Sequence, residues 1–415
     1  AMAPPNSTPP DSIHRISPPH PTFNAAMALQ PAAGVRDLNP REVEGNRRIA
    51  DQLAAVYRLW GYQEVAPPSF ERLDTLEAGG GIDGRELVRL ASDEPLGLRP
   101  ELTASIARAA STRLAERPRP LRLWAMGSTF RCSTADGGSQ RLHEQLQSGV
   151  ELLGAQTAAA DVELMRLLLA AAGALGLQDH HQPRLLVGHH GVLGALLRQL
   201  PEQQQGAARA ALTNFDPLAL AQLALPDSDR QRLGNLMRLR GEPAKVLYQL
   251  EQWLGPIPLL AELGETLAAV APAAERLGVQ LQLDPSFQPH FALYDGLVLK
   301  LVCQGQEVPV EIASGGRYDA LVGRFCPEPS EAAGVGFGFD VGAVRELVAP
   351  AIESPSPVLV AYGNPQHLAA ALDQLEALHQ MGTCAELLSG ACANQAEAEA
   401  LGQARGCGRT LWIAP

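Results

Sequence analysis

The sequence predicts an α+β body, a mostly antiparallel sheet flanked by helices, followed by a small α/β appendage. Three observations carry this. Strand-like alternation comes in groups, between 121 and 153 and again between 279 and 339, with helical stretches between the groups, as in an α+β unit. Beyond a Ser354-Pro355-Ser356-Pro357 linker the pattern changes to strand, helix, strand, helix, strand. At 415 residues, 46% of them hydrophobic, the chain has the length for two or three domains and an ample core.

Each element follows from local chemistry. Residues 1–30 hold many prolines among Ser and Asn with no apolar period; they predict a disordered leader, since they bury too little apolar area to offset ordering entropy. The body, 31–350, opens with a helix from Pro40 to Trp60, its apolar face drawn through Val43, Ile49, Leu53, Val56, Leu59 and Trp60 and its end marked by Gly61. Glu64 to Ala66 is a strand running into Pro67-Pro68, which puts it at a boundary or an interface. Glu86 to Ser92 alternates as a strand, Glu94 to Gly97 turns, and Leu98 to Thr103 leads into a helix through Arg113. Leu121 to Met126, Phe130 to Cys132 and Ser148 to Leu153 read as strands, Thr134 to Ser139 as a flexible loop, and Ala158 to Leu175 as a helix. From about 193 to 272 the chain is helical and irregular, an inserted region. Strands return at Val279–Leu283, Phe291–Tyr294, Leu297–Cys303 and Val308–Ala313, followed by a glycine-rich turn at Ser314–Asp319, a strand at Val335–Phe339 and a helix at Val341–Val348. In the appendage, 358–415, strands at Val358–Ala361, Ala385–Leu388 and Thr410–Ile413 alternate with helices at Gln366–Gln380 and Ala396–Arg405.

Composition excludes some classes of function. The net charge is -12 and the pI near 5.4, which argues against broad nucleic-acid binding, because that needs a basic surface to displace counterions. Lysine occurs only at Lys245 and Lys300, so nearly all positive charge is arginine. The most apolar stretch, Leu164 to Leu175, is too short for a bilayer and carries Arg166, so no membrane span is expected. Six cysteines (Cys132, Cys303, Cys326, Cys384, Cys392, Cys407) are scattered without a Cys-x-x-Cys pair and read as structural thiols of a reducing, cytoplasmic compartment. His180-His181 and His189-His190 have no partner at a ligand spacing, so neither a metal nor a cofactor is expected.

Four segments could carry chemistry. In Leu98-Arg99-Pro100-Glu101-Leu102-Thr103 a carboxylate and a hydroxyl stand beside a rigid proline at a helix entrance; Glu101 either receives a ligand ammonium or complements the helix dipole. Phe130-Arg131 precedes Gln147-Ser148-Gly149-Val150-Glu151, where alternation puts Gln147, Gly149 and Glu151 on one face. An arginine for a carboxylate, with Gln and Glu for an amine or imidazole, suits an amino acid; an ordinary strand with a wet polar face is the competing reading. Ser314 to Asp319 permits close backbone approach, with Tyr318 able to close over a pocket, or is a simple hairpin. The glycines of Gly334-Val335-Gly336-Phe337-Gly338-Phe339-Asp340 lie within a strand rather than after one, so a dinucleotide-binding loop is rejected.

Taken in order, these segments resemble the catalytic core of class II histidyl-tRNA synthetases, over roughly 32–345. Gly34-Val35-Arg36-Asp37-Leu38-Asn39-Pro40 resembles that family's opening signature, and Gly61 to Pro68 its dimer-forming first motif. Leu98 to Thr103 is similar to the amino-acid-binding Arg-Pro-Glu-Gly-Thr segment, Phe130-Arg131 through Glu151 to the second motif, and Gly315-Gly316-Arg317-Tyr318-Asp319 to the histidine-specific turn. The resemblance implies a class II synthetase-like antiparallel sheet and a histidine pocket at Glu101, Thr103, Arg131, Gln147, Glu151, Tyr294 and Tyr318. It implies Arg131 or a backbone donor for the carboxylate, Glu101 for the amine, and Glu151 or Tyr318 for the imidazole.

The departures point away from synthetase chemistry. Where the family's third motif ends in an ATP-holding arginine, this chain has Ala343, with Arg345 two residues on; where the family has an activating arginine before its Tyr-Tyr pair, this chain has Pro289. Histidine binding without adenylation resembles the synthetase paralogues that serve as regulatory subunits of ATP phosphoribosyltransferase. That resemblance implies a non-catalytic, cytoplasmic subunit of a hetero-oligomer with the short-form catalytic subunit, which condenses ATP with phosphoribosyl pyrophosphate under histidine feedback. It also implies a self-dimer through the first-motif region and no nucleic-acid partner. The tail from Val358 is similar to the start of a synthetase anticodon-binding domain and is expected to be a partial copy. The alternatives are a divergent histidyl-tRNA synthetase and a stand-alone histidine-binding module.

Overall fold

A computed structural model describes residues 29–78, 82–134, 138–287, 293–348 and 356–414. Of the expectations above, most of the leader, the centre of the 134–139 loop, most of the 350–357 linker, Pro289 and the first half of the Phe291–Tyr294 strand fall outside the described residues. The chain divides into two compact units, the first ending at Val348.

In the first unit, helix α1 (Pro40–Leu59) starts at a capping box: the Asn39 side chain accepts from the Glu42 N–H at 3.0 Å and the Glu42 carboxylate from the Asn39 N–H at 2.8 Å. Its buried face runs through Ile49, Leu53 and Tyr57, while Val43 is 45% and Leu59 87% exposed, so the face is rotated from the one drawn through those two residues. Gly61, at φ +83°, turns the chain into β1 (Gln63–Glu64). Next come β2 (Phe70–Arg72), α2 (Leu73–Ala78), β3 (Leu96–Leu98), α3 (Thr103–Ser111), β4 (Leu121–Thr134), β5 (Gln140–Leu153) and α4 (Ala158–Gly173). Glu86 to Ser92 is not a strand; it forms a single bridge, Arg89 to Gly97, alongside Leu96 to Leu98, which also pairs with β2. The two strands expected at 121–132 are one, held by unbroken pairing with β5 from Leu121 to Thr134.

Strand β6 (Arg184–His189) is followed by six helices: α5 (His190–Leu197), α6 (Glu202–Thr213), α7 (Pro217–Ala221), α8 (Asp227–Arg238), α9 (Pro243–Leu254) and α10 (Pro258–Arg276). β6 is an element the sequence reading missed, and Pro272 sits inside α10 rather than ending the helical region. Then follow β7 (Gln280–Leu283), β8 (Leu297–Gln304), β9 (Pro309–Arg317), α11 (Asp319–Phe325), β10 (Gly334–Asp340) and α12 (Val341–Leu347). Ser314 to Arg317 belongs to β9 and is no turn, since it pairs with β10 on one side and β8 on the other. Tyr294 lies in irregular chain before β8.

The sheet order is β1-β4-β5-β10-β9-β8-β6-β7, antiparallel except at its two ends, where β1 joins β4 and β7 joins β6 in parallel. One face carries Val150, Leu152, Val335, Phe337 and Phe339 into a core shared with α1, α4 and the helical region. The other face presents Gly149, Glu151, Gly336 and Gly338, and it holds the site. The second unit is a parallel sheet, β12 (Ala385–Leu387), β11 (Val358–Tyr362), β13 (Arg409–Ile413), with α13 (Leu368–Gln380) and α14 (Gln395–Ala404). Val358, Val360 and Tyr362 pack with Ala371 and Leu378 of α13; Ala361 packs with Ala398 of α14. All six cysteines are free thiols, and among the described residues no helix is long and apolar enough to cross a membrane and no metal-holding cluster occurs.

Candidate functional site

The polar face of the sheet is arranged by pairing register. Residues directly opposite share a face. One row therefore reads Glu151, Gly336, Gly316, Val298 across β5, β10, β9 and β8, and the next reads Gly149, Gly338, Ser314, Lys300. The floor between Glu151 and Lys300 is thus almost without side chains. At Gly336 a Cβ would overlap the Glu151 carboxylate and come within 2.5 Å of the Val150 carbonyl; at Gly338 it would overlap the Gln147 amide. Glycine is needed there so that two long polar side chains can lie over the neighbouring strand. Above this floor is a cavity of about 450 Å³.

Glu101, Thr103, Arg131, Gln147, Glu151 and Tyr294 all line that cavity. Glu101 precedes α3 and accepts from the backbone N–H groups of Thr103 and Ala104, the latter at 3.1 Å, so the carboxylate serves as the helix cap. Burial pushes its pKa up, against the pull of those N–H donors. Thr103 Oγ1 donates to Glu151 Oε1 at 2.7 Å, and the Tyr318 hydroxyl donates to the other oxygen, Oε2. Glu151 is 3% exposed, and burial raises its pKa to about 8 despite both hydroxyl donors. At neutral pH this carboxyl therefore holds its proton in a large share of molecules.

Tyr318 is fully buried behind Glu151 and does not form part of the cavity wall; it props the carboxyl rather than closing over a ligand. Its place is fixed by a charged lattice: Arg317 reaches Asp161 of α4 at 2.7 Å and Asp319 at 2.9 Å, and Asp295 accepts from the Asp319 and Ala320 N–H groups. Tyr294 lies against Gly316, and burial with the nearby Glu151 and Glu101 raises its pKa. Arg131 stands in the field of Glu86 and Glu101, and burial lowers its pKa nonetheless. The Gln147 Oε1 atom is buried with no hydrogen-bond partner among the described residues, an acceptor left for a donor from the cavity.

The sequence reading missed part of the wall: Phe287, Lys300, Glu311 and Asp340. Lys300 carried the one available signal, as one of two lysines and in the expected strand at 297–303. Asp340 caps α12 by accepting from the Ala343 N–H at 3.0 Å. Ala343 packs against the main core, while the Arg345 guanidinium is turned to α1, donating to Asn46 at 2.8 Å and pairing with Glu42 at 3.7 Å.

Carboxyl, carboxamide, hydroxyl and cationic groups thus converge on a compact cavity, a set suited to recognising a small polar ligand that carries both charges. Residues 34–344 match the family described as Histidyl-tRNA synthetase. A protein of Synechococcus sp. (strain RCC307) named ATP phosphoribosyltransferase regulatory subunit is 53% identical over 392 residues, covering 93% of this chain and all of the relative. A protein of the same name from Prochlorococcus marinus (strain MIT 9303) is 49% identical over 390 residues, with the same coverage. Among solved structures, one titled as an ATP phosphoribosyltransferase regulatory subunit/histidyl-tRNA synthetase from Bacillus halodurans has a TM-score of 0.78 and 26% identity, covering 93% of this chain and 98% of that one.

Proposed function

As the chain belongs to the histidyl-tRNA synthetase family, among the members named ATP phosphoribosyltransferase regulatory subunit, we propose that it is the non-catalytic regulatory subunit of ATP phosphoribosyltransferase, joining a separate catalytic subunit at the first step of histidine biosynthesis and conveying histidine feedback. The observation that carries this reading is a division within the site. The cavity keeps recognition groups at Glu101, Thr103, Arg131, Gln147, Glu151 and Tyr294, with Tyr318 behind Glu151. The first turn of α12 holds Ala343, and Arg345 is occupied on α1. Without a cation at position 343, and with Pro289 where the family has an activating arginine, a polyphosphate would lose stabilisation on the order of several kcal/mol in the adenylation transition state.

In this reading histidine is the effector and the chain is cytoplasmic, self-dimerises through the region around Gly61 to Pro68, and has no nucleic-acid partner. The second unit, 358–415, is similar to the start of an anticodon-binding domain and serves structural support or dimer contact rather than RNA recognition. Feedback requires that histidine bind one assembly state better than another, since equal affinity for both would shift nothing. The test is reconstitution with the short-form catalytic subunit. We expect co-purification and a phosphoribosyltransferase activity that histidine inhibits, with no histidine-dependent ATP–pyrophosphate exchange by the chain alone. Failure to co-purify and to alter activity would sink the reading, and pyrophosphate exchange would restore the synthetase alternative.

A further inference from the structure

Lys300 has no assigned role, yet it faces the cavity at the far end of its glycine floor. Across the sheet its row is Gly149, Gly338, Ser314, Lys300, so nothing larger than a serine stands on the floor between β5 and the lysine. Glu151 marks the opposite corner, three strand spacings away, which is about 14 Å between backbones before either side chain reaches inward. The cavity is therefore polarised. The Glu101 and Glu151 carboxyls, acceptors for an amine, stand at one end and the Lys300 ammonium at the other, so an amino acid fits with its carboxylate at the β8 side.

Among the described residues two cations line the cavity, and their surroundings differ. Arg131 lies in the field of two carboxylates, Glu86 and Glu101. Among the described residues Lys300 pairs with one carboxylate, Glu311, whose oxygen is 3.6 Å from Nζ, too long for a hydrogen bond, and whose side chain is 49% exposed. The face of Phe287, its ring centroid 5.1 Å from Nζ, holds the ammonium in place without using its N–H groups. An ammonium offers three donors, so Lys300 keeps donors for a ligand. The other lysine, Lys245, is exposed and paired with Glu242 at 2.8 Å.

We propose that Lys300 is the carboxylate anchor of the pocket, the group that makes it select a free amino acid over the corresponding amine. This takes over the role the sequence suggested for Arg131, and it rests on the reading of the cavity as a histidine site. Calorimetric titration of the full chain with L-histidine and with histamine, which lacks the carboxylate, tests it. The unaltered chain should prefer histidine, and Lys300→Met should lower histidine affinity by about 10- to 100-fold, to near that for histamine, while leaving histamine affinity unchanged. Glu311→Gln moves the other way: with the competing carboxylate gone, histidine should bind several-fold tighter and histamine should not. This change at a half-exposed side chain keeps the test alive should Lys300→Met fail to fold. Retained preference in Lys300→Met, or no tightening in Glu311→Gln when Lys300→Met does not fold, overturns the anchor. An unaltered chain that binds neither ligand overturns the histidine reading itself, and the anchor with it.

Discussion

At the scale of single residues, Glu151 shows how burial sets the site's chemistry. Its carboxyl is out of water, with Thr103 and Tyr318 donating to its two oxygens and Glu101 nearby, and its pKa stands at about 8 against an ordinary 4.5. The sign of the linkage follows. Between those two values the folded chain binds a proton that the unfolded chain has lost, so folding stability falls as pH rises through the window and levels off above about pH 8. Summed over the window, this opposes folding by on the order of 5 kcal/mol. Glu151→Gln, which cannot titrate, should match the unaltered chain near pH 5 and become progressively more stable than it towards pH 8. Calorimetric melting of both proteins across that range checks this, and parallel stability curves would refute it. Of the seven residues expected from the sequence, six line one cavity and Tyr318 stands behind it; each was named through a short motif whose neighbours constrain it. Lys300 and Asp340 were not, because their meaning lies in strand pairing: Lys300 enters the cavity only through its register with Ser314.

At the scale of elements, β9 separates what a sequence can state from what only pairing decides. A Ser-Gly-Gly run has turn chemistry, and the sequence reading made it a turn. It is strand because β8 and β10 flank it, and a Cβ at Gly315 or Gly316 would overlap the Gly336 or Leu297 carbonyl. β6 was missed for the opposite reason. A run of Leu185-Leu186-Val187 between polar neighbours shows no apolar–polar alternation, although the strand lies between β8 and the edge strand β7 with Leu185 and Val187 buried and Leu186 partly exposed. The appendage was legible nearly residue by residue because its strands and helices alternate with clear breakers. The end of β9 is also where the sheet is tied to α4, through Arg317 and Asp161, whose side chains are 10% and 16% exposed. Removing one partner leaves buried charge uncompensated. Arg317→Leu should therefore cost about 3–5 kcal/mol in a urea titration, and adding Asp161→Asn should recover part of it. A loss below about 1 kcal/mol would mean that the pair does not hold these elements together.

At the scale of the whole molecule, charge bears on whether this synthetase-like body binds RNA. The chain carries a net charge of -12, and residues 358–415 contain five acidic residues against two arginines. One of those, Arg405, is already engaged by Glu386. Phosphate contacts dominate nucleic-acid affinity through counterion release, and each requires an available cation. A tail of this composition offers almost none, and the sequence holds only two lysines in all. A histidine tRNA transcript, followed by fluorescence anisotropy at physiological salt, should therefore bind only at the weak end of non-specific association, with a Kd of about 10⁻⁴ M or weaker. The decisive control is ionic strength. Binding that appears at low salt and disappears steeply as salt rises would be residual attraction to scattered arginines, whereas saturable micromolar binding that persists at physiological salt would show that an RNA surface survives. That second outcome would contradict the proposed absence of a nucleic-acid partner while leaving the proposed histidine site intact, because the floor of that cavity is built by β5, β10, β9 and β8.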